Sequence, residues 1–206
     1  MPPPEVHLKL TVPAPWITRF AALIRPGGAV LDVACGGGRH ARWLVARGFA
    51  LTLVDRDTDA VADLADRAEI VTADLEDGAP WPFAGRTFDA VMVTNYLHRP
   101  LFGPLVDAVA PGGVLLYQTF MLGNERFARP RNPDHLLRPG ELLEAIAGRG
   151  LQVVAFQQGQ QVSDSGQGQA VVQALCACRT DQPVALPPTD PPTEPSPGPP
   201  VTGSPN

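Results

Sequence analysis

Short apolar runs alternate along the chain with segments in which apolar side chains recur at helical spacing. The runs predicted as strands lie at residues 29–33, 49–54, 70–72, 88–93 and 114–119. A first predicted helix follows the strand at 29–33 and ends near Gly48. A second begins at Asp57 or Thr58, and a third spans residues 101–110. Strands and helices that alternate in this way form βαβ units, so the pattern predicts a doubly wound α/β sandwich.

The alternation breaks near the end of this domain. A helix predicted around residues 140–148 leads to a strand at 151–156. A polar turn at 157–169 contains no helical pattern, and a strand at 170–178 follows it. Two consecutive strands without a helix between them either pair antiparallel or do not pair with each other. We therefore expect a seven-stranded, mostly parallel sheet whose last strand is antiparallel.

The 206 residues divide into three parts by composition. Residues 1–14 are an N-terminal extension, and residues 15–179 are long enough to form one domain with its own core. Residues 180–206 are rich in proline and contain no aromatic side chain, so we predict a disordered tail. Weak docking of a partner protein through this tail is a secondary hypothesis.

Charge and cysteine content narrow the range of functions. The net charge is −5, and Asp181, Asp190 and Glu194 of the tail supply three of the negative charges, so a nucleic-acid-binding surface is not expected. The sequence predicts neither a signal peptide nor a membrane span. The three cysteines are odd in number and lack the spacing of a disulfide framework, so we expect a reducing, cytoplasmic location. Cys176 and Cys178 are predicted to be buried thiols, and no metal site is predicted.

A glycine-rich turn, residues 34–38, follows the first strand and precedes a helix; we call it the glycine turn. Gly36 and Gly38 allow close backbone approach and positive φ angles. The free N–H groups of the following helix face the same place and attract an anionic group. The residues from Gly36 to Ala41 also match the G-x-G-x-x-A pattern of dinucleotide sites, so two cofactor classes fit.

Two carboxylates flank the glycine turn. Asp55 ends the second strand, a position from which a carboxylate can accept hydrogen bonds from both ribose hydroxyls. Asp32 lies inside the first strand, where a ligand ammonium group could be its partner. The alternatives are that Asp55 only caps a helix and that Asp32 pairs with a donor in the core.

These motifs together resemble those of class I S-adenosylmethionine-dependent methyltransferases. The first is Val30-Leu31-Asp32-Val33-Ala34-Cys35-Gly36-Gly37-Gly38, and the others are Asp55, Ala73-Asp74-Leu75, Phe88-Asp89-Ala90-Val91 and Pro111-Gly112-Gly113-Val114-Leu115. Cys35 to His40 and Leu136 to Leu142 more narrowly resemble the tellurite-resistance (TehB-like) group.

The resemblance implies a role for each matching residue. The backbone of the glycine turn would hold the methionine part of S-adenosylmethionine, with Asp32 near its amino group and Asp55 at the ribose. Asp74 would accept a hydrogen bond from the adenine amino group, with Leu75 beside the ring. The implied cofactor-binding set is Asp32, Ala34, Cys35, Gly36, Gly38, Asp55, Arg56, Asp74, Leu75 and Asn95.

Residues after the fourth strand are candidates for the reaction itself. The resemblance implies that Asn95 and Tyr96 line the place of methyl transfer. His98 could act as a base, or could simply begin a helix as a polar residue. The arginine-rich loop, residues 123–133, is either a lid for an anionic substrate or a solvated charged segment. Trp16 could cover the cofactor or belong to the core.

The predicted function is methyl transfer from S-adenosylmethionine to a small-molecule nucleophile such as a thiol or a metalloid oxyanion. The sulfonium is already activated, so the protein must mainly align the nucleophile and exclude water. One alternative is an NAD-dependent oxidoreductase. Another is a non-catalytic cofactor-binding scaffold that docks through its tail.

Overall fold

The computed structural model describes residues 10–188, in which seven strands form one sheet. The strands are β1 (Ala29–Val33), β2 (Ala50–Asp55), β3 (Ala68–Thr72), β4 (Phe88–Thr94), β5 (Val109–Phe120), β6 (Gln152–Val162) and β7 (Gln169–Cys178). Their order is β3-β2-β1-β4-β5-β7-β6, and only β7 runs antiparallel to its neighbours. The predicted fold and sheet are thereby confirmed.

The helices in residues 10–188 are short, and none is long and apolar enough to cross a bilayer. They are α1 (Pro15–Phe20), α2 (Arg39–Val45), α3 (Phe102–Asp107) and α4 (Glu141–Ile146). Proline at the first position of α1 fits the fixed φ of a helix start. Between β2 and β3 the helix predicted to begin at Asp57 or Thr58 is a 3₁₀ segment, Asp59–Leu64.

The strands β5 and β6 are longer than predicted by several residues, and the other strand bounds agree within two residues. β5 begins at Val109, because the Pro111-Gly112-Gly113 segment is a bulge between its pairings with Phe88 and Ala90 rather than a turn before the strand. β6 continues to Val162, so the polar turn predicted from residue 157 is reduced to residues 163–168. Glutamines at the edge of a sheet can form backbone hydrogen bonds while their side chains stay in solvent. The pattern of apolar residues therefore did not predict the second half of β6.

Two apolar clusters fill the faces of the sheet. One contains residues of α1 and α2, and the other contains residues of α3 and α4. Trp16 belongs to the first cluster, and its indole N–H donates to the Leu175 carbonyl at 3.3 Å, so it is a core residue. Cys176 and Cys178 are buried free thiols, as predicted. The parallel strands end at one edge, which we call the carboxyl edge, and the glycine turn lies there.

Residues 180–188 of the predicted tail contain no helix or strand, and the rest of the tail lies outside the described residues. Most of the N-terminal extension, residues 1–9, also lies outside them. The tail's disorder and its docking role stay predictions.

Candidate functional site

The glycine turn crosses the carboxyl edge in left-handed backbone conformations. Ala34 has φ 55°, Gly36 φ 50° and Gly38 φ 70°. A Cβ on Gly38 would approach Val61 Cγ1 to 2.5 Å, whereas a Cβ on Gly36 would have no atom within 4 Å. The two glycines therefore differ: the protein's own packing requires Gly38, while Gly36 borders open space that a ligand can fill.

Asp32 is a buried carboxylate without a partner. It is 1% exposed, and neither of its oxygens has a hydrogen-bond partner in the described part of the chain. Burial raises the pKa of its carboxyl to about 8; the positive charge of Arg39 opposes this shift, and the negative charge of Asp55 adds to it. Pairing with a core donor is thus excluded, and the site fits a ligand that brings an ammonium group.

Asp55 connects the end of β2 to the glycine turn. Its Oδ2 accepts from the Gly36 N–H at 2.8 Å, and its Oδ1 accepts from the Asp57 N–H at 3.2 Å. Each carboxylate oxygen has a further lone pair, so ribose hydroxyls can still donate to it. Asp55 thus supports the turn itself and is more than a helix cap.

Asp74 and Leu75 line a cavity of about 350 Å³ beyond the end of β3. Asp74 is exposed, and its Oδ1 accepts from the Glu76 N–H at 2.9 Å, which leaves Oδ2 toward solvent or a ligand. Trp81 also lines this cavity. Arg56 follows Asp55 and is exposed. The cavity has room for a planar ring beside Leu75, and the adenine position implied by the family resemblance stays a prediction.

Asn95 and Tyr96 follow β4 at the carboxyl edge. Asn95 has φ 55°, and its N–H donates to the Gln118 carbonyl at 2.9 Å, which holds this unusual backbone conformation. The hydroxyl of Tyr96 is buried and lies close to the carboxylate of Glu76. Burial, then the negative charge of Glu76, raises the pKa of Tyr96, so this side chain is a neutral donor. His98 is half-buried and begins the 3₁₀ segment Arg99–Leu101.

The arginines near the site have two different environments. Arg99 makes a two-pronged ion pair with the buried Glu141, at 2.6 and 3.1 Å, and also donates to two carbonyls, so its role is structural. In the arginine-rich loop, Arg126, Arg129 and Arg131 are exposed. Whether that loop closes over a substrate stays a prediction.

Two site residues were missed by the sequence reasoning: Arg39 and His40, which open α2 and are both buried. His40 Nε2 accepts from the Ala14 N–H at 3.1 Å, and its Nδ1 lies 3.4 Å from the Thr94 hydroxyl. Burial, then the charge of Arg39, lowers the pKa of His40 to about 3, so the ring is neutral. The position of Arg39 and His40 directly after the glycine turn was the signal that could have identified them as site residues.

Cys35 lies in the glycine turn but is not suited to act as a nucleophile. It is buried, and burial, reinforced by the charges of Asp32 and Asp55, raises the pKa of its thiol. A thiol that stays protonated is a small packing group.

Comparison with known proteins links this site to a family. Residues 30–113 match the model of a protein family described as "Methyltransferase domain". The ubiquinone biosynthesis O-methyltransferase of Burkholderia ambifaria (strain MC40-6) is 31% identical over 164 residues, covering 68% of this chain and 70% of that protein. The trans-aconitate 2-methyltransferase of Rhizobium meliloti (strain 1021) is 32% identical over 124 residues, covering 57% of this chain but only 43% of that protein.

The crystal structure of TehB from Haemophilus influenzae has the same fold, with a TM-score of 0.62 and 17% identity over 79% of this chain and 61% of that one. At this identity the likeness concerns the fold alone. Together, the sequence matches and the shared fold confirm the methyltransferase resemblance that the motifs indicated.

Proposed function

Because the chain belongs to the class I S-adenosylmethionine-dependent methyltransferases, we propose that it transfers a methyl group from S-adenosylmethionine to a small-molecule nucleophile, such as a thiol or a metalloid oxyanion. Membership in this family favours S-adenosylmethionine over a nicotinamide cofactor, the other class that fitted the glycine turn.

The observation that carries this proposal is the unpartnered carboxylate of Asp32. Leaving two buried oxygens without donors costs several kcal/mol or forces protonation, so such a group points to a ligand that pairs with it. The amino group of the methionine part is a cation of suitable size. Asp55 would hold the ribose, and Asp74 with Leu75 the adenine.

S-adenosylmethionine supplies an activated methyl group when bound. The chain's own residues position the reactants and exclude water. Asn95 and Tyr96 would border the acceptor, with the Tyr96 hydroxyl as a neutral hydrogen-bond donor. His98 is the candidate base if the acceptor arrives protonated; an anionic acceptor needs none.

Calorimetric titration with S-adenosylhomocysteine tests the cofactor assignment. We expect Asp55→Ala to weaken binding by about 10- to 100-fold, because it removes the ribose acceptor and the support of Gly36, each a charged hydrogen bond. Asp107→Ala is the matched control, since Asp107 is an exposed carboxylate at the last residue of α3. If the wild-type protein binds neither S-adenosylmethionine nor S-adenosylhomocysteine, the proposal is wrong.

An acceptor screen tests the reaction. Thiols, metalloid oxyanions, phenols, carboxylates and amines would be offered with S-adenosylmethionine, and release of S-adenosylhomocysteine would be measured. Phenols and carboxylates are included because the Burkholderia relative is named an O-methyltransferase and the Rhizobium relative is named for an acid. Cofactor binding without turnover on the whole panel would favour the scaffold alternative. A cytoplasmic location is also proposed, and the three free thiols support it.

A further inference from the structure

The turn between β6 and β7, residues 163–168, lies at the same edge of the sheet as the glycine turn. β6 runs in the direction of β5, because both are antiparallel to β7, so its last residue, Val162, is at the carboxyl edge. Residues 165–168 are exposed, whereas the side chain of Asp164 is not. The turn thus has an exposed tip and one buried anchor.

The side chain of Asp164 is held by an ion pair with Arg39, which lies 125 residues earlier in the sequence. Asp164 Oδ2 lies 2.7 Å from Arg39 Nη2, and the two side chains are 9% and 7% exposed. Surface ion pairs contribute little, but a buried pair must recover a large desolvation cost and therefore depends on close geometry. The position of the turn therefore depends on the position of Arg39.

Arg39 and Asp164 connect three parts of the site. Arg39 directly follows Gly38, and its Nη1 donates to the Val12 carbonyl at 3.2 Å, which also holds the N-terminal segment. On the other side, the Gln118 amide lies 3.4 Å from both Asp164 oxygens. Gln118 is the β5 neighbour of Thr94, and its carbonyl accepts from the Asn95 N–H. Asp164 is thus held between the glycine turn and the strand ends proposed for methyl transfer.

We propose that Asp164 is a positioning residue that latches residues 163–168 over the methyl-transfer side of the site, and that an occupied glycine turn strengthens this latch. The inference rests on the proposed function. A ligand that fixes the glycine turn also fixes the backbone of Arg39, and hence the partner of Asp164. A closed turn at this place shields the strand ends from water, as a sulfonium methyl donor requires.

Hydrogen–deuterium exchange of the wild-type protein tests the coupling directly. Peptides covering residues 159–172 would be followed with and without saturating S-adenosylhomocysteine, whose binding is measured by calorimetry on the same sample. Coupling between sites commonly changes an equilibrium about 5- to 150-fold, so we expect the amides of 163–168 to exchange about fivefold more slowly, or slower still, with the ligand. A peptide from helix α3, which packs in the apolar cluster on the sheet face opposite α2, should not change.

Two variants distinguish the effect of the Asp164 charge from an effect on folding. Asp164→Asn keeps the shape but removes the charge, so residues 163–168 should exchange rapidly whether or not the ligand is present. Asp164→Glu keeps the charge and should retain most of the ligand-dependent slowing. Asp66→Asn removes an exposed carboxylate elsewhere and should behave as wild type. Thermal unfolding of each variant establishes that it is folded.

The outcomes are distinct. Slowing in the wild type and in Asp164→Glu, with none in Asp164→Asn, supports the latch. Binding of S-adenosylhomocysteine to the wild type without slower exchange in 163–168 overturns it and leaves the proposed function intact. Equal slowing in Asp164→Asn also overturns it. If S-adenosylhomocysteine does not bind the wild type at all, the proposed function fails and the latch with it.

Discussion

Asp32 makes a quantitative prediction about cofactor binding. In the free protein burial raises the pKa of its carboxyl to about 8, so below that pH the group is neutral. A ligand ammonium binds the ionised carboxylate far better than the neutral acid. Binding of S-adenosylhomocysteine below pH 8 must therefore release the Asp32 proton, and the affinity must depend on pH.

The size of the effect follows from the pKa. At about pH 6 roughly 99% of a carboxyl with a pKa of about 8 is protonated, so binding should release about one proton per site. Each pH unit below 8 should weaken the affinity about tenfold, or about 1.4 kcal/mol. The ligand's own α-amino group has a carboxylate beside it instead of a peptide bond, so its pKa lies above the peptide value of about 7.7–8.0. It therefore stays cationic below about pH 7 and does not contribute there.

Calorimetry in buffers of different ionisation enthalpy measures the proton count, since the apparent enthalpy changes linearly with that of the buffer. Asp32→Asn is the matched control, because an amide of the same shape cannot ionise. It should bind with no proton release and little pH dependence, so its deficit relative to wild type should grow as the pH rises toward 8. Absence of proton release by the wild type at about pH 6, or equal release by Asp32→Asn, would refute this role of Asp32.

Two further predictions concern the glycine turn and His40. Gly36→Ala and Gly38→Ala both place a side chain at positive φ, which costs about 1 kcal/mol or more. Only the new Cβ of Gly38→Ala also clashes with Val61, so this variant should have the lower unfolding temperature. Gly36→Ala should mainly weaken S-adenosylhomocysteine binding. Calorimetry and thermal melts would contradict this if both variants lost stability equally. In the folded protein the pKa of His40 is lowered to about 3, below its value near 6.5 in the unfolded chain. Between these two pH values the unfolded state binds a proton that the folded state does not. The free energy of unfolding therefore falls as the pH drops from about 6.5 toward 3, by up to about 1.4 kcal/mol per pH unit. His40→Leu should flatten that part of the denaturant-derived stability profile, and an unchanged slope would count against the assignment.

The sheet could be predicted because its strands are buried on both faces. β1 and β4 are apolar apart from Asp32 in β1 and Asp89 and Thr94 in β4, and the predicted bounds of β1 coincide with those observed. β6 is different: most of its residues are exposed or half-buried, and its second half is rich in glutamine, so its ladder with β7 leaves no apolar signature. The bulge in β5 was hidden for another reason, because proline and glycine indicate a turn whether or not the strand resumes.

The site was predictable where a residue's position along a strand decides its role. Asp32, Asp55 and Asp74 follow from strand ends and from the glycine turn, and the structure brings all three to the carboxyl edge. Arg39 and Asp164 could not be found in this way. Their pairing joins residues far apart in sequence, and each alone reads as a solvated charge.

The same pair explains how Asp32 can stay without a partner. Arg39 is the cation whose charge acts most strongly against the raised pKa of Asp32, yet its guanidinium is committed to Asp164 and to the Val12 carbonyl. If Arg39 turned to Asp32 instead, the protein would itself neutralise the carboxylate that we assign to the cofactor's ammonium group. A buried cation cannot remain unpaired, so a second carboxylate is required to occupy it. Asp164 supplies that carboxylate, and the latch over the acceptor side and the free carboxylate on the cofactor side are therefore two consequences of one ion pair.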